Sequence, residues 1–183
     1  MSFLKNFYIK TLKYEFFNKF IYKQSKDLPE LKKIILNIGC KNSELKNLSS
    51  SLLALELITS QEGSVTKTKY PNVLLKIRKG NPTGCKVTLR KTKMFNFLTK
   101  FLIEIISKQK NFNGFNISKK LNKSTFSYKV QNILNFNELE NQYYLFNNLS
   151  SLDVTIVTNA KNKKELLFIL KSLKLPFKIV RQI

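Results

Sequence analysis

The chain has 183 residues, and its 33 Lys and Arg against 11 Asp and Glu give a formal net charge of +22 and a pI near 10.0. A 43% hydrophobic content lets it bury a core, which excludes a disordered basic tail, and the absence of His excludes Ser-His-Asp and Cys-His catalysis and most zinc sites. Like charge on this scale repels itself and is relieved by a polyanion, with nucleic acid the first candidate and an anionic membrane surface the second.

The first predicted element is a helix over residues 3 to 21. Leu4, Tyr8, Leu12, Phe16 and Phe20 recur four apart, with Phe7 and Phe17 beside them, so a wide apolar stripe faces the domain. Lys5, Lys10 and Lys13 interrupt any apolar run of a secretory signal, and arginine is missing from this end, which weakens a transit-peptide reading. Leu31 to Ile38 reads as a buried strand closed by Gly39. Asn42 or Ser43 caps a following helix, on which Leu45, Leu48, Leu52 and Leu55 share the inner face.

Val65 to Lys69 and Val73 to Lys79 have strand character, but Pro71 demotes a continuous strand. A loop is therefore expected from Lys67 to Leu74, with Lys67, Lys69 and Tyr70 suited to phosphate and stacking contacts. The stretch KIRKGNPTGCKVTLR, Lys76 to Arg90, then carries Lys76, Arg78, Lys79, Lys86 and Arg90. Leu75 and Ile77, and later Val87 and Leu89, alternate with polar residues, and Gly80 to Gly84 is dense in turn formers. The reading is a basic hairpin with one face on the core and the other toward a polyanion.

Thr92 is the expected cap of a helix to Lys108, with Phe95, Leu98, Leu102 and Ile105 inward. Asn111 to Ser127 is a long polar loop; Phe126, Tyr128 and Val130 alternate as a strand; residues 136 to 149 give no clear signal. Leu152, Val154 and Ile156 mark another strand. Asn162 with Glu165 forms a capping box ahead of a helix carrying Leu166, Ile169, Leu170 and Leu173, which Pro176 stops. Strands and helices mix without βαβ alternation, which predicts an α+β fold: a largely antiparallel sheet with helices packed mainly on one face, in a single domain over residues 1–183, comprising a helical arm (1–28) and a body (29–183).

Chemistry-bearing motifs do not survive inspection. Gly80 to Lys86 falls short of a phosphate-binding loop, because three residues separate the glycines, Cys85 intervenes and Pro82 removes an amide donor. Cys40 and Cys85 belong to no CxxC, and Glu138 and Glu140 lack a partner base. No catalytic residue, metal site or cofactor is expected.

The run from Lys76 to Arg90, followed by Lys93-Met94-Phe95-Asn96-Phe97, resembles the 5S rRNA-binding L5 (uL5) family of large-subunit ribosomal proteins, whose signature is IRxGxPxGCKVTLRxxxMxxF. Other segments fall in the family's order: Pro29 to Gly39, Thr59-Ser60-Gln61 before Val65-Thr66-Lys67, Phe112-Asn113-Gly114, Phe136-Asn137-Glu138, Ser151 to Lys161 and Leu175-Pro176-Phe177. The resemblance runs from about Phe7 to Lys178 and implies a structural ribosomal protein, not an enzyme. It implies rRNA contacts at Asn37, Gln61 and Thr88, with Arg78, Lys86 and Arg90 on phosphates. It also implies a loop toward peptidyl-site tRNA carrying Lys67, Lys69, Tyr70 and Lys76, a contact with the small-subunit head, and neighbouring ribosomal proteins as partners.

Departures from the family pattern include Lys69-Tyr70-Pro71 and Leu74 in the tRNA-facing loop, a glycine-free stretch from Asn116 to Thr125, and a shortened spacer after Gly39. Ala54 and Ala160 are the only alanines, while Lys, Asn, Ile, Leu and Phe crowd the chain, as A/T-rich codons would give. With the N-terminal helix read as part of the family domain, no cleavable presequence is expected. The expectation is a protein made inside a mitochondrion and housed in its ribosome in the matrix, with a plastid or an A/T-rich bacterium as the alternatives. The competing reading is a basic peripheral membrane protein anchored by the aromatic N-terminal helix; it leaves the Lys76 to Arg90 run unexplained.

Overall fold

The computed structural model describes residues 3–22, 24, 27–40, 45–74, 77–109, 112–115 and 122–178. Five strands form one antiparallel sheet in the order β2-β3-β1-β5-β4: β1 is Leu31–Gly39, β2 Ser64–Lys67, β3 Pro82–Leu89, β4 Thr125–Val130 and β5 Leu152–Thr158. Sheet plus helices make the α+β class expected from the sequence. The chain divides into two compact units: residues 1–33, 90–126 and 156–183 form the first, and 34–89 and 127–155 the second.

In the first unit the chain starts helically. Two α-helical stretches, α1 (Phe3–Phe7) and α2 (Lys13–Lys19), flank a π-helical turn, Tyr8–Leu12. The turn answers the spacing of the apolar residues. Residues four apart on an ordinary helix overshoot a full turn by about 40° at each step, so a stripe at 4, 8, 12 and 16 would spiral off the buried face. A wider turn holds Leu4, Tyr8, Leu12 and Phe16 together in the core. Phe20 departs from the expected stripe: it takes extended backbone (φ −126°, ψ 139°) and ends the helix. Its ring and that of Phe16 both meet Phe168, with centroids 5.7 and 4.9 Å away, and the Lys19 ammonium lies 4.4 Å from the same ring.

The second helical run of this unit repeats the device: α4 (Lys91–Lys100), a π turn (Phe101–Ile105) and α5 (Ile106–Lys108). Phe97, Phe101 and Ile105, again four apart, are buried, whereas Leu102, expected inward, is only half-buried. The helix also begins earlier than expected. Arg90, with extended backbone, is its N-cap instead of Thr92, which is exposed. Around Phe115 gather Phe101, Phe112, Phe126 and Phe177, at centroid distances from 4.9 to 6.5 Å. Backbone bonds from Phe115 N to Pro176 O (2.7 Å) and from Lys178 N to Phe115 O (3.0 Å) fix this cluster. Helix α8 (Lys163–Ser172) opens on the expected capping box of Asn162 and Glu165, and buries Leu166, Ile169 and Leu170. Asp27 holds the Lys161 ammonium at 2.7 Å and raises its pKa.

In the second unit, β1 contributes Ile34, Leu36 and Ile38 and β3 contributes Cys85, Val87 and Leu89 to one buried face. Helix α3 (Leu45–Thr59) packs on β3. It buries Ser51, Ala54, Leu55, Ile58 and Thr59, while Leu48 and Leu52 are half-buried and Leu45 is 77% exposed. The expected Leu45 stripe thus slips round the helix, because the small Ser51 and Ala54 let it approach the sheet. Its expected caps, Asn42 and Ser43, lie outside the described residues. Ser60, at φ 52°, ends α3 in the left-handed conformation. Residues 136 to 149 form two short helices, α6 (Asn137–Glu140) and α7 (Tyr143–Phe146), which place Leu139 and Phe146 in the core. Burial pushes the Cys85 thiol up to about 11, with Cys40 adding to the effect, and both cysteines are free.

The expected hairpin turn from Gly80 to Gly84 needs correction. Gly84 is buried inside β3, opposite Gly39 of β1 and Thr66 of β2. A Cβ on it would lie 2.6 Å from the Ile38 carbonyl oxygen and 3.1 Å from Thr66 Oγ1. Its role is close backbone approach, and the chain reverses instead at Lys79 and Gly80, where φ is +89°. The partners of β3 are β1 and β2, and Val73 and Leu74 lie in a turn, within the loop expected from Lys67 to Leu74.

Gly84→Ala should destabilise the protein by about 2 kcal/mol or more, because both neighbours of the new methyl are held in strands; an unchanged urea midpoint would contradict the close approach. Tyr8 gives a pH-dependent counterpart. Burial pushes its phenol up to about 12 from 10.0, with the Leu31 amide opposing and Glu30 reinforcing. The fold favours the neutral phenol, so this stabilisation is complete below pH 10 and is lost as pH rises toward 12. Urea midpoints measured across that window should fall less steeply for Tyr8→Phe than for the parent chain.

Candidate nucleic-acid interface

The face of β1–β3 opposite the core carries the polar partners of the alternation. Asn37 on β1 and Lys86 and Thr88 on β3, with Ile35 among them, are half-buried between fully buried neighbours. Register then sets these residues in rows. Asn37 stands opposite Lys86, which stands opposite Ser64 of β2; Ile35 stands opposite Thr88. Gln61, in the turn between α3 and β2, donates from Nε2 to the Thr88 carbonyl oxygen at 3.1 Å. That bond uses one of its two amide hydrogens and holds the side chain beside Thr88, leaving a second hydrogen and the Oε1 acceptor for a ligand.

Four residues expected at an RNA surface are therefore gathered in the second unit: Asn37, Gln61, Lys86 and Thr88. Arg78 is exposed in the reversal before β3, where its carbonyl accepts from Thr68 Oγ1 at 2.7 Å. Arg90 is exposed and caps α4 in the first unit. Of the loop residues, Lys67 ends β2 and is exposed, Lys69 is exposed and Tyr70 is 82% exposed, whereas Lys76 lies outside the described residues. The loop is closed by backbone bonds. Asn72 and Ile77 exchange two, at 2.9 and 3.0 Å, and Thr68 is bonded to Gly80 and Asn81 at 3.1 and 2.9 Å. Further along the loop Val73 and Leu74 are 90% and 94% exposed.

Hydroxyls that the sequence reading passed over widen the polar face. Ser64 Oγ donates to the Lys86 carbonyl oxygen at 3.1 Å, and Ser127 and Thr155 meet through their hydroxyls at 3.1 Å. The signal for them was present in the strict alternation of β5, where Asp153 and Thr155 are half-buried between buried Leu152, Val154 and Ile156.

Comparison of the sequence with known proteins gives the family. The model for the C-terminus of the ribosomal L5 family matches residues 82–177, from the start of β3 to beyond α8. The chain belongs to the ribosomal L5 family. It is 35% identical over 178 residues to "Large ribosomal subunit protein uL5m" of Reclinomonas americana, covering 96% of this chain and 98% of that one. It is 34% identical to "Large ribosomal subunit protein uL5" of Malacoplasma penetrans (strain HF-2), covering 96% and 94% of the two chains. A third relative, "Large ribosomal subunit protein uL5c" of Tetradesmus obliquus, is 34% identical over 95% of this chain and 97% of its own. As a member of the family the chain is a structural ribosomal protein of the large subunit and not an enzyme. Among its described residues no helix is long and apolar enough to cross a membrane.

Proposed function

We propose that this protein binds 5S rRNA, or the large-subunit rRNA of the central protuberance where 5S rRNA is missing, through the polar face of β1–β3. The observation that carries the reading is the row of Asn37, Lys86 and Ser64 beside the Gln61–Thr88 pair. Amides and hydroxyls held at fixed spacing can donate to and accept from ribose and base edges, and a lysine among them neutralises phosphate. Arg78 and Arg90 add phosphate contacts, and Ser127 and Thr155 extend the hydroxyl surface. The loop with Lys67, Lys69, Tyr70 and Lys76 reaches toward peptidyl-site tRNA, and the small-subunit head and neighbouring ribosomal proteins complete the partners. The A/T-coded composition and the uL5m relative support a place in the mitochondrial ribosome, in the matrix.

The test separates charge from recognition. Replacing Arg78, Lys86 and Arg90 together with alanine should lower the slope of log affinity against log salt by roughly 2 to 3, about 0.7 to 0.9 for each of the three lost phosphate contacts. An unchanged slope would remove these residues from the RNA surface. Asn37→Ala or Gln61→Ala should cost about 1–3 kcal/mol on the cognate rRNA and far less on random RNA. Equal losses on both would reduce them to backbone positioning.

A further inference from the structure

The first unit holds a cleft from which the RNA reading uses Arg90 alone, at the rim. Its volume is about 330 Å³, and it lies between the N-terminal helical run, the start of β1 and the start of α4. The floor is Tyr8, Leu31, Met94 and Phe95, all buried, with Ile9 (47% exposed) at the edge. The rim carries Lys5, Lys13, Lys32, Arg90 and Lys91 against the single acid Glu30. Helix α4 starts here with no acidic residue in its first turn, so its dipole adds to the positive field.

We propose that this cleft receives an acidic peptide segment of another protein, seating one aliphatic or aromatic side chain on the floor and its carboxylates on the lysine rim. The choice of a peptide over a nucleotide comes from the chemistry of the lining. Among the described residues that form the cleft there is no Asn, Gln, Ser or Thr. The one hydroxyl on the floor, Tyr8 Oη, lies 3.5 Å from the Pro29 carbonyl oxygen and 3.4 Å from the Leu31 amide, placed to donate to the first and accept from the second. A nucleobase inserted here would leave its hydrogen-bonding edge unpaired on an apolar surface, which is costly. An apolar side chain meets no such penalty, and its burial is favourable. The rim already accepts a carboxylate: Glu30 lies 3.4 Å from the Lys13 ammonium. The concave apolar floor within a cationic rim is also unlike the flat polar rows of the β1–β3 face, so the inference stands apart from the RNA reading.

The experiment uses the full chain and three probes at moderate salt: a labelled acidic peptide with one central leucine, the same peptide with serine for leucine, and a mixed-sequence single-stranded RNA oligonucleotide. The leucine peptide should bind saturably, at least about tenfold more tightly than the serine version. Ile9→Ser should narrow that difference, and Lys5→Gln with Lys32→Gln should weaken the leucine peptide by about tenfold. All three positions are at the surface or rim, so circular dichroism should show the fold intact. Substitution of Lys86 and Thr88 on the sheet should leave peptide affinity unchanged while lowering RNA affinity, which separates failure of this site from failure of the RNA face. Equal binding of the two peptides, no saturable peptide binding, or displacement of the peptide by RNA with matching losses in the variants would each overturn the proposal.

Discussion

The second unit depends on how closely β1 and β3 approach at Gly84. Any side chain there would meet the Ile38 carbonyl on one side and Thr66 on the other, so only glycine lets the three strands lie together at this point. The register follows. With Gly39 opposite Gly84, Asn37 falls opposite Lys86 and Ile35 opposite Thr88. A slip of β1 by one residue would carry Asn37 into the core and Leu36 out of it, and a slip of β3 would do the same to Lys86 and Val87. A missing methyl group thus supports both the buried face and the polar face, and the residues proposed to meet RNA inherit their spacing from it.

A protein with a net charge of +22 gains little cohesion from its own ion pairs. In the first unit Lys13 with Glu30 and Lys161 with Asp27 join side chains that are 38% to 68% exposed, where solvent screens the attraction. Cohesion comes instead from the aromatic residues: the Phe115 cluster, and the Phe16, Phe20 and Phe168 group with Lys19 against it. This division of labour suits an RNA-binding chain. Apolar packing does not weaken when cations crowd the surface, and the unneutralised cations remain available to phosphates.

Much of this was legible in the residues, and the failures share a physical cause. Periodicity disclosed β1, β5, the N-terminal helix and α8 with its capping box, because each is governed by local spacing. It misjudged positions where an element is distorted to suit its neighbours. The π turns put Phe101 rather than Leu102 inward, and Ser51 and Ala54, too small to register as apolar signals, draw α3 onto the sheet and leave Leu45 outside. Gly84 was taken for a turn glycine because flanking Pro82 and Gly80 are turn formers; its need for a close neighbour is visible only once β1 is beside it. The Gln61–Thr88 bond spans 27 positions of sequence. The resemblance could name both residues, but no local pattern could show that one holds the other.

The loop before β3 shows how one chain can offer two kinds of contact. At its base Thr68 is bonded to Arg78, Gly80 and Asn81, and Asn72 and Ile77 bond each other, so the backbone is tied on both sides. Among its described residues Val73, Leu74 and the Tyr70 ring are exposed toward the tip, with Lys67 and Lys69 toward the base. Contact through such a tip gains by desolvating apolar surface and by stacking, terms that salt scarcely screens, whereas contact through the lysine-bearing face releases counterions and weakens as salt rises. The proposed tRNA contact and the proposed rRNA contact therefore differ in their physical dependence. On the proposed reading, a partner held through Tyr70, Val73 and Leu74 would stay bound at ionic strengths that loosen the sheet from its RNA.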